Sequence, residues 1–181
     1  HLDEVGFMVQ SIVSDGTIRF VPLGGWWGHV LLAQRVRIRT RTGDEVLGVI
    51  GAKPPHLLEE SERKKVLKLE SMLIDIGACD ADEVRDRFGI RLGDSIVPDS
   101  PFTRLANPDF LLSKAFDDRV GVALAIQSVQ QLKGKSHPNT VVSVGTVQEE
   151  VGTRGAATAA AVVNPDVCIV LEGPPADDLP K

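Results

Sequence analysis

Residues 35–51 read RVRIRTRTGDEVLGVIG. Arginines at 35, 37 and 39 alternate with Val36 and Ile38, which is the period of a strand with one face in a core and one in water. Thr42-Gly43-Asp44 supplies turn chemistry, and residues 45–50 resume a run rich in valine and isoleucine. The stretch predicts an antiparallel hairpin. Working outward, residues 5–13 and 17–23 predict two more strands joined by Ser14-Asp15-Gly16. Pro54-Pro55 ends the run, a short polar helix is expected near 61–65, and a strand near 72–76. Asp80 and Glu83 have the spacing of a capping box, so a helix is expected to start there and run to about Phe88. Short apolar segments at 95–97 and 110–112 close this part.

Beyond about residue 110 the pattern changes. Residues 118–132, DRVGVALAIQSVQQL, carry apolar positions at helical spacing over a broad face, which predicts a well-buried helix. Gly134 is a candidate C-cap, and Pro138-Asn139 marks a break. Residues 140–147, TVVSVGTV, and 167–171, VCIVL, read as strands covered on both faces, with an alanine-rich helix at 156–163 between them. Helix, strand, helix, strand is the rhythm of a parallel α/β domain. The expected fold class is therefore α/β, with a β-rich module up to about residue 100 followed by part of an α/β domain.

Length and composition are those of a soluble globular protein of one large or two small domains: 181 residues, 43% hydrophobic and 25% charged. A net charge of −5 with no basic block argues against nucleic acid or an anionic membrane as the main partner. Arg63-Lys64-Lys65 sits beside Glu59, Glu60 and Glu62 and reads as a solvated helix face. Cys79 and Cys168 belong to no CxxC pair and are expected to be small buried hydrophobes in a reducing compartment. With no 18-residue apolar run, the expected location is the cytoplasm.

Four polar clusters stand at the ends of predicted elements: His1-x-Asp3, Asp117-Asp118 before the long helix, Gln148-Glu149-Glu150 after TVVSVGTV, and Glu172 after VCIVL. In an open α/β sheet, ligands collect at the carboxyl ends of the strands. Adjacent glutamates there repel one another and lose hydration, and a divalent cation is an economical way to hold them. Each cluster also has a plain structural reading. Asp117-Asp118 serves as a helix cap, and Glu149-Glu150 and Glu172 as ordinary loop polarity.

HLDEVGF (1–7), GVIGAKPPHLL (48–58), LSKAFDDRVG (112–121), VQEEVGTRGA (147–156) and LEGPPADD (171–178) occur in this order. In that order they resemble the large self-assembling metalloaminopeptidases of the tetrahedral, or TET, type. That family includes glutamyl and deblocking aminopeptidases and members labelled endoglucanase. The resemblance covers essentially the whole chain. It implies that His1 and Glu172 bind one metal ion, that Asp117 bridges to a second and that Glu150 also binds the second. It makes Glu149 the general base and Asp3 the carboxylate that orients the His1 ring. Many relatives carry aspartate at position 172, so the glutamate here puts the geometry in question more than the role.

The implied cofactors are two divalent ions per complete subunit, zinc or cobalt, or manganese. The implied substrates are peptides with a free N-terminus, and the implied partner is a homo-oligomer in which dimers build a dodecamer. By this reading residues 1–6 begin a catalytic portion, 7–100 form an inserted barrel or PDZ-like association domain, and 101–181 continue the incomplete catalytic portion. The chain is then expected to be an internal fragment that lacks a late histidine ligand and is inactive by itself. The alternative is a non-catalytic assembly module that inherits metal residues without assembling them. Trp26 and Trp27 fit either an interface or a local core anchor.

Overall fold

Alternation in Arg35–Arg39 has its expected consequence: Val36 and Ile38 are fully buried and the three arginines face outward. The computed structural model describes residues 1–178. It divides the chain into one unit of Val5–Pro101 and a second formed by His1–Glu4 with the chain from Phe102 onward.

The first unit is a closed antiparallel barrel. Its strands are β1 (Gly6–Ile12), β2 (Ile18–Leu23), β3 (Arg35–Arg39), β4 (Glu45–Gly51), β5 (Leu73–Asp75) and β6 (Ser95–Pro98). They are ordered β1-β2-β5-β4-β3-β6, and β6 pairs back onto β1. Closure leaves no edge strand open for pairing with another chain. The predicted β3–β4 hairpin runs in register from Arg39↔Glu45 to Arg35↔Val49. Between β1 and β2 the register slips at Gln10, a bulge that bends β1. At the turn between them, Gly16 has a φ of +85°, and a Cβ there would lie 2.6 Å from the Ala78 carbonyl oxygen. Both facts demand glycine.

Phe7, Val9, Ile18, Phe20, Val36, Ile38, Ile50, Ile74 and Ile96 fill the interior, with Leu31, Met72, Val84 and Ile90 against them. Two of the outward arginines, Arg35 and Arg37, are engaged in ion pairs. Arg37 donates from Nε to Asp99 at 2.6 Å and from Nη1 to Glu45 at 3.0 Å, which raises its pKa further above the ordinary arginine value. Gly48 of β4 is buried, and a Cβ there would lie 2.7 Å from Ile74 Cγ2 and 3.0 Å from Ile76 Cγ2. A valine at this position is expected to cost about 1–3 kcal/mol through overpacking, read as a lowered urea midpoint at unchanged slope.

Asp80 and Glu83 make a variant of the expected capping box. Asp80 Oδ1 accepts the Glu83 N–H at 2.8 Å, while Glu83 reaches back to the Cys79 N–H at 2.8 Å. That bond, with the ion pair to Arg87, holds the Glu83 carboxyl below the usual glutamate range. The turn that follows, Glu83–Arg87, is wound with i→i+5 bonds. A short helix, α1 (Glu60–Arg63), carries the exposed Lys64–Glu60 pair, as a solvated face should. The core-anchor reading holds for Trp26. Trp26 stacks on Phe7 at 4.6 Å and donates to the Gly6 carbonyl at 2.9 Å, whereas Trp27 is 66% exposed beside His29.

The second unit holds the small ladder β7 (Thr103–Arg104) with β8 (Leu111–Leu112) and the helices α2 (Phe116–Leu132) and α3 (Arg154–Val163). Three expectations are corrected. Residues 140–147 and 167–171 form no strands and no parallel sheet; their apolar side chains are largely exposed, with Ile169 at 82%. The Thr146 carbonyl accepts the Leu2 N–H at 2.7 Å, but no run of paired residues follows it. A β-branched segment is a strand only where another backbone pairs with it, and among the described residues none does. The α2 helix forms, yet its apolar face is exposed, with Ile126 at 51%, because no described element covers it. Cys79 and Cys168 are also exposed: the first lies in the turn after β5 and the second in the unpaired 167–171 segment. Among the described residues no helix is long and apolar enough to cross a membrane.

Candidate metal centre

The HLDE segment is held at every residue within the second unit. The His1 nitrogen, the terminal ammonium of this chain, donates to Asp118 Oδ2 at 2.7 Å. Leu2 donates its N–H to Thr146. The two Asp3 carboxylate oxygens accept the backbone N–H groups of Glu149 and Glu150, at 3.2 and 3.1 Å. Glu4 receives the Lys114 ammonium on both oxygens, at 2.6 and 2.8 Å. Asp3 can take both amides because Gln148 adopts a left-handed φ of +59° and turns the chain at that point. Gly155, at the start of α3, lets the loop close: a Cβ there would lie 2.2 Å from the Val147 carbonyl oxygen.

His1 is buried, 8% exposed, and its ring is oriented from one side. Nδ1 lies 3.0 Å from the Asp3 carbonyl oxygen and 3.3 Å from Asp3 Oδ1. With the ring hydrogen on Nδ1, Nε2 turns its lone pair toward Asp117 Oδ1 at 3.1 Å and Glu149 Oε2 at 3.6 Å. Glu172 completes the cluster: one ligand atom each from His1, Asp117 and Glu172 lies within 4.8 Å of the others. Asp117 is 61% exposed, so the open side of the cluster meets solvent. An imidazole lone pair facing several carboxylates leaves negative charge uncompensated, and a cation between them offsets it. One nitrogen and several carboxylate oxygens are a donor set suited to zinc or cobalt, so the residues present fit such an ion.

Three of the candidate residues, His1, Asp117 and Glu172, bring ligand atoms within 4.8 Å of one another, and Glu149 Oε2 lies 3.6 Å from His1 Nε2. Asp3 stands behind His1. Glu150 is tied to Asp3 through its main chain, and its carboxylate is outside the three-residue cluster. Sequence reasoning missed Asp118 as more than a cap and missed the Glu4–Lys114 pair. The Asp-Asp doublet at a helix start was a signal for the first; two charges 110 residues apart gave none for the second.

The sequence model of the family described as M42 glutamyl aminopeptidase matches residues 1–181, the whole chain. The chain belongs to the M42 glutamyl aminopeptidase family. The M42 chain is 40% identical over 178 residues to the glutamyl aminopeptidase of Lactococcus lactis, covering 98% of itself and 50% of that protein. A TET aminopeptidase structure from a marine-sediment archaeon of the Thaumarchaeota superposes with a TM-score of 0.95 at 50% identity, over 100% of this chain and 51% of that one. The TET1 peptidase of Pyrococcus horikoshii, described as assembling into a tetrahedron or a large octahedral shell, gives a TM-score of 0.77 at 34% identity. That match covers 88% of this M42 chain and 47% of the other. The M42 chain spans about half the length of the curated relatives it matches.

Proposed function

We propose that this chain carries metal-ligand and general-base residues of a metal-dependent aminopeptidase, which removes N-terminal residues from peptides. The observation that supports this most is the convergence of His1, Asp117 and Glu172 ligand atoms within 4.8 Å, in a chain of this family. His1, Glu172 and Asp117 would hold one divalent ion, and Asp117 with Glu150 would hold a second. Zinc and cobalt suit the donors, with manganese as a third option. Bound in this way, the ions supply Lewis acidity that lowers the pKa of water and polarises the scissile carbonyl.

The rest of the chemistry falls to side chains of this chain. Glu149 Oε2 takes a proton from the attacking water as its oxygen bonds to the carbonyl carbon. The C–N bond then breaks, and Glu149 passes the proton to the leaving amine. Asp3 fixes the His1 tautomer through Nδ1 and strengthens Nε2 as a donor. It also sets the position of Glu149 by accepting that residue's N–H.

The remainder of the proposal concerns the surroundings. The barrel, with Trp27, Leu47 and Val49 exposed on it, acts as an association module for a homo-oligomer built from dimers, up to a dodecamer, in the cytoplasm. The full-length protein, stripped of metal and assayed on aminoacyl amides, is expected to regain hydrolysis only when divalent ions are restored. Full activity in the stripped protein contradicts the proposal.

A further inference from the structure

Asp118 is the most buried carboxylate of the second unit, at 1% exposure, and the proposed chemistry does not use it. Both of its oxygens are engaged. Oδ2 accepts the His1 nitrogen at 2.7 Å, and Oδ1 accepts the Gly121 N–H at 3.0 Å, as a helix N-cap does. One side chain therefore joins a residue 117 positions away to the first turn of α2. Asp117 and Asp118 have non-helical dihedrals, with ψ of 106° and 42°, and their two side chains take different directions. The Asp117 carboxylate meets His1 Nε2 on the exposed side, while that of Asp118 meets the His1 main chain on the buried side.

We infer that Asp118 is a positioning residue, whose carboxylate clamps the His1 main chain to the start of α2 and so fixes the spacing between His1 Nε2 and Asp117. The inference rests on the metal reading given above. Gly121 adds an independent line to it. A Cβ at 121 would lie 2.3 Å from Asp118 Oδ1, 2.5 Å from Oδ2 and 2.7 Å from Cγ. The helix thus gives up helix propensity at this position to admit the carboxylate. Because Asp117 is the adjacent residue, any shift of the Asp118 carboxylate is passed to the proposed bridging ligand.

The test uses Co(II) titration of the full-length protein, followed by calorimetry and by the visible absorption of the bound ion. Asp118→Asn keeps the shape but replaces one acceptor with an NH₂ group. Gly121→Ala favours the helix yet crowds the carboxylate, and so separates positioning from folding. Both variants are expected to keep the far-ultraviolet circular dichroism of the parent, to bind Co(II) about 10–100-fold more weakly and to show an altered visible spectrum. Parental affinity and spectrum in both folded variants overturn the inference and leave the metal reading standing. No Co(II) binding by the unsubstituted protein overturns the metal reading, and this inference with it.

Discussion

Glu149→Gln in the full-length protein is expected to lower turnover about 10²–10⁴-fold while metal content stays at the parental level. Glutamine keeps the length and shape of the side chain but cannot take up the proton of the attacking water. The substitution leaves the main chain of Glu149 unaltered, and it is the main chain that anchors Asp3, at 3.2 Å. The Glu149 carboxylate is also the most remote of those measured to His1 Nε2, at 3.6 Å against 3.1 Å for Asp117. Loss of the base should therefore appear in kcat, with KM and the metal-to-protein ratio little changed. Turnover within a few-fold of the parent would assign the base elsewhere.

Phe7→Ala is expected to destabilise the barrel by about 3–5 kcal/mol, near the upper end for a single core truncation. Phe7 is fully buried, meets Phe20 edge-on at 5.0 Å and stacks on Trp26 at 4.6 Å. Truncation removes two aromatic contacts and leaves a cavity that closed strands cannot easily collapse to fill. The readout is direct, because the two tryptophans of the chain both lie in the barrel unit. Denaturant unfolding followed by tryptophan emission reports that unit alone. A loss below 1 kcal/mol would show that Phe7 is not a central contact of the core.

The barrel was legible because its signals are local. Period-two alternation in Arg35–Arg39, the glycine turn at Gly43 and the bounds of β1, β2, β4 and β6 all follow from neighbouring residues. Closure was less legible. The pairing of β6 with both β1 and β3 depends on contacts between residues some 60 to 90 positions apart. Residues 140–147 and 167–171 show the opposite failure. Their composition is that of buried strands, yet composition cannot supply the second backbone that a ladder requires.

The site divides in the same way. The polar clusters at element ends pointed to His1, Asp117, Glu149 and Glu172; His1, Asp117 and Glu172 cluster, and Glu149 lies beside the His1 ring. The Asp-Asp doublet was open to two readings, cap or ligand, and its two side chains take different partners. Asp118 caps α2, and Asp117 faces His1. What no local pattern gave is the set of bonds that hold the HLDE segment, from Asp118, Thr146, the Glu149 and Glu150 amides, and Lys114. Each joins residues more than 100 positions apart, so each depends on a backbone path that no local pattern shows.

The most direct test of the metal centre is anomalous diffraction at the cobalt edge from crystals of the full-length protein equilibrated with Co(II). The account predicts a peak about 2.0–2.2 Å from His1 Nε2 and the carboxylate oxygens of Asp117 and Glu172, with a second ion between Asp117 and Glu150. No peak at this cluster, in crystals of protein that hydrolyses aminoacyl amides, would contradict it.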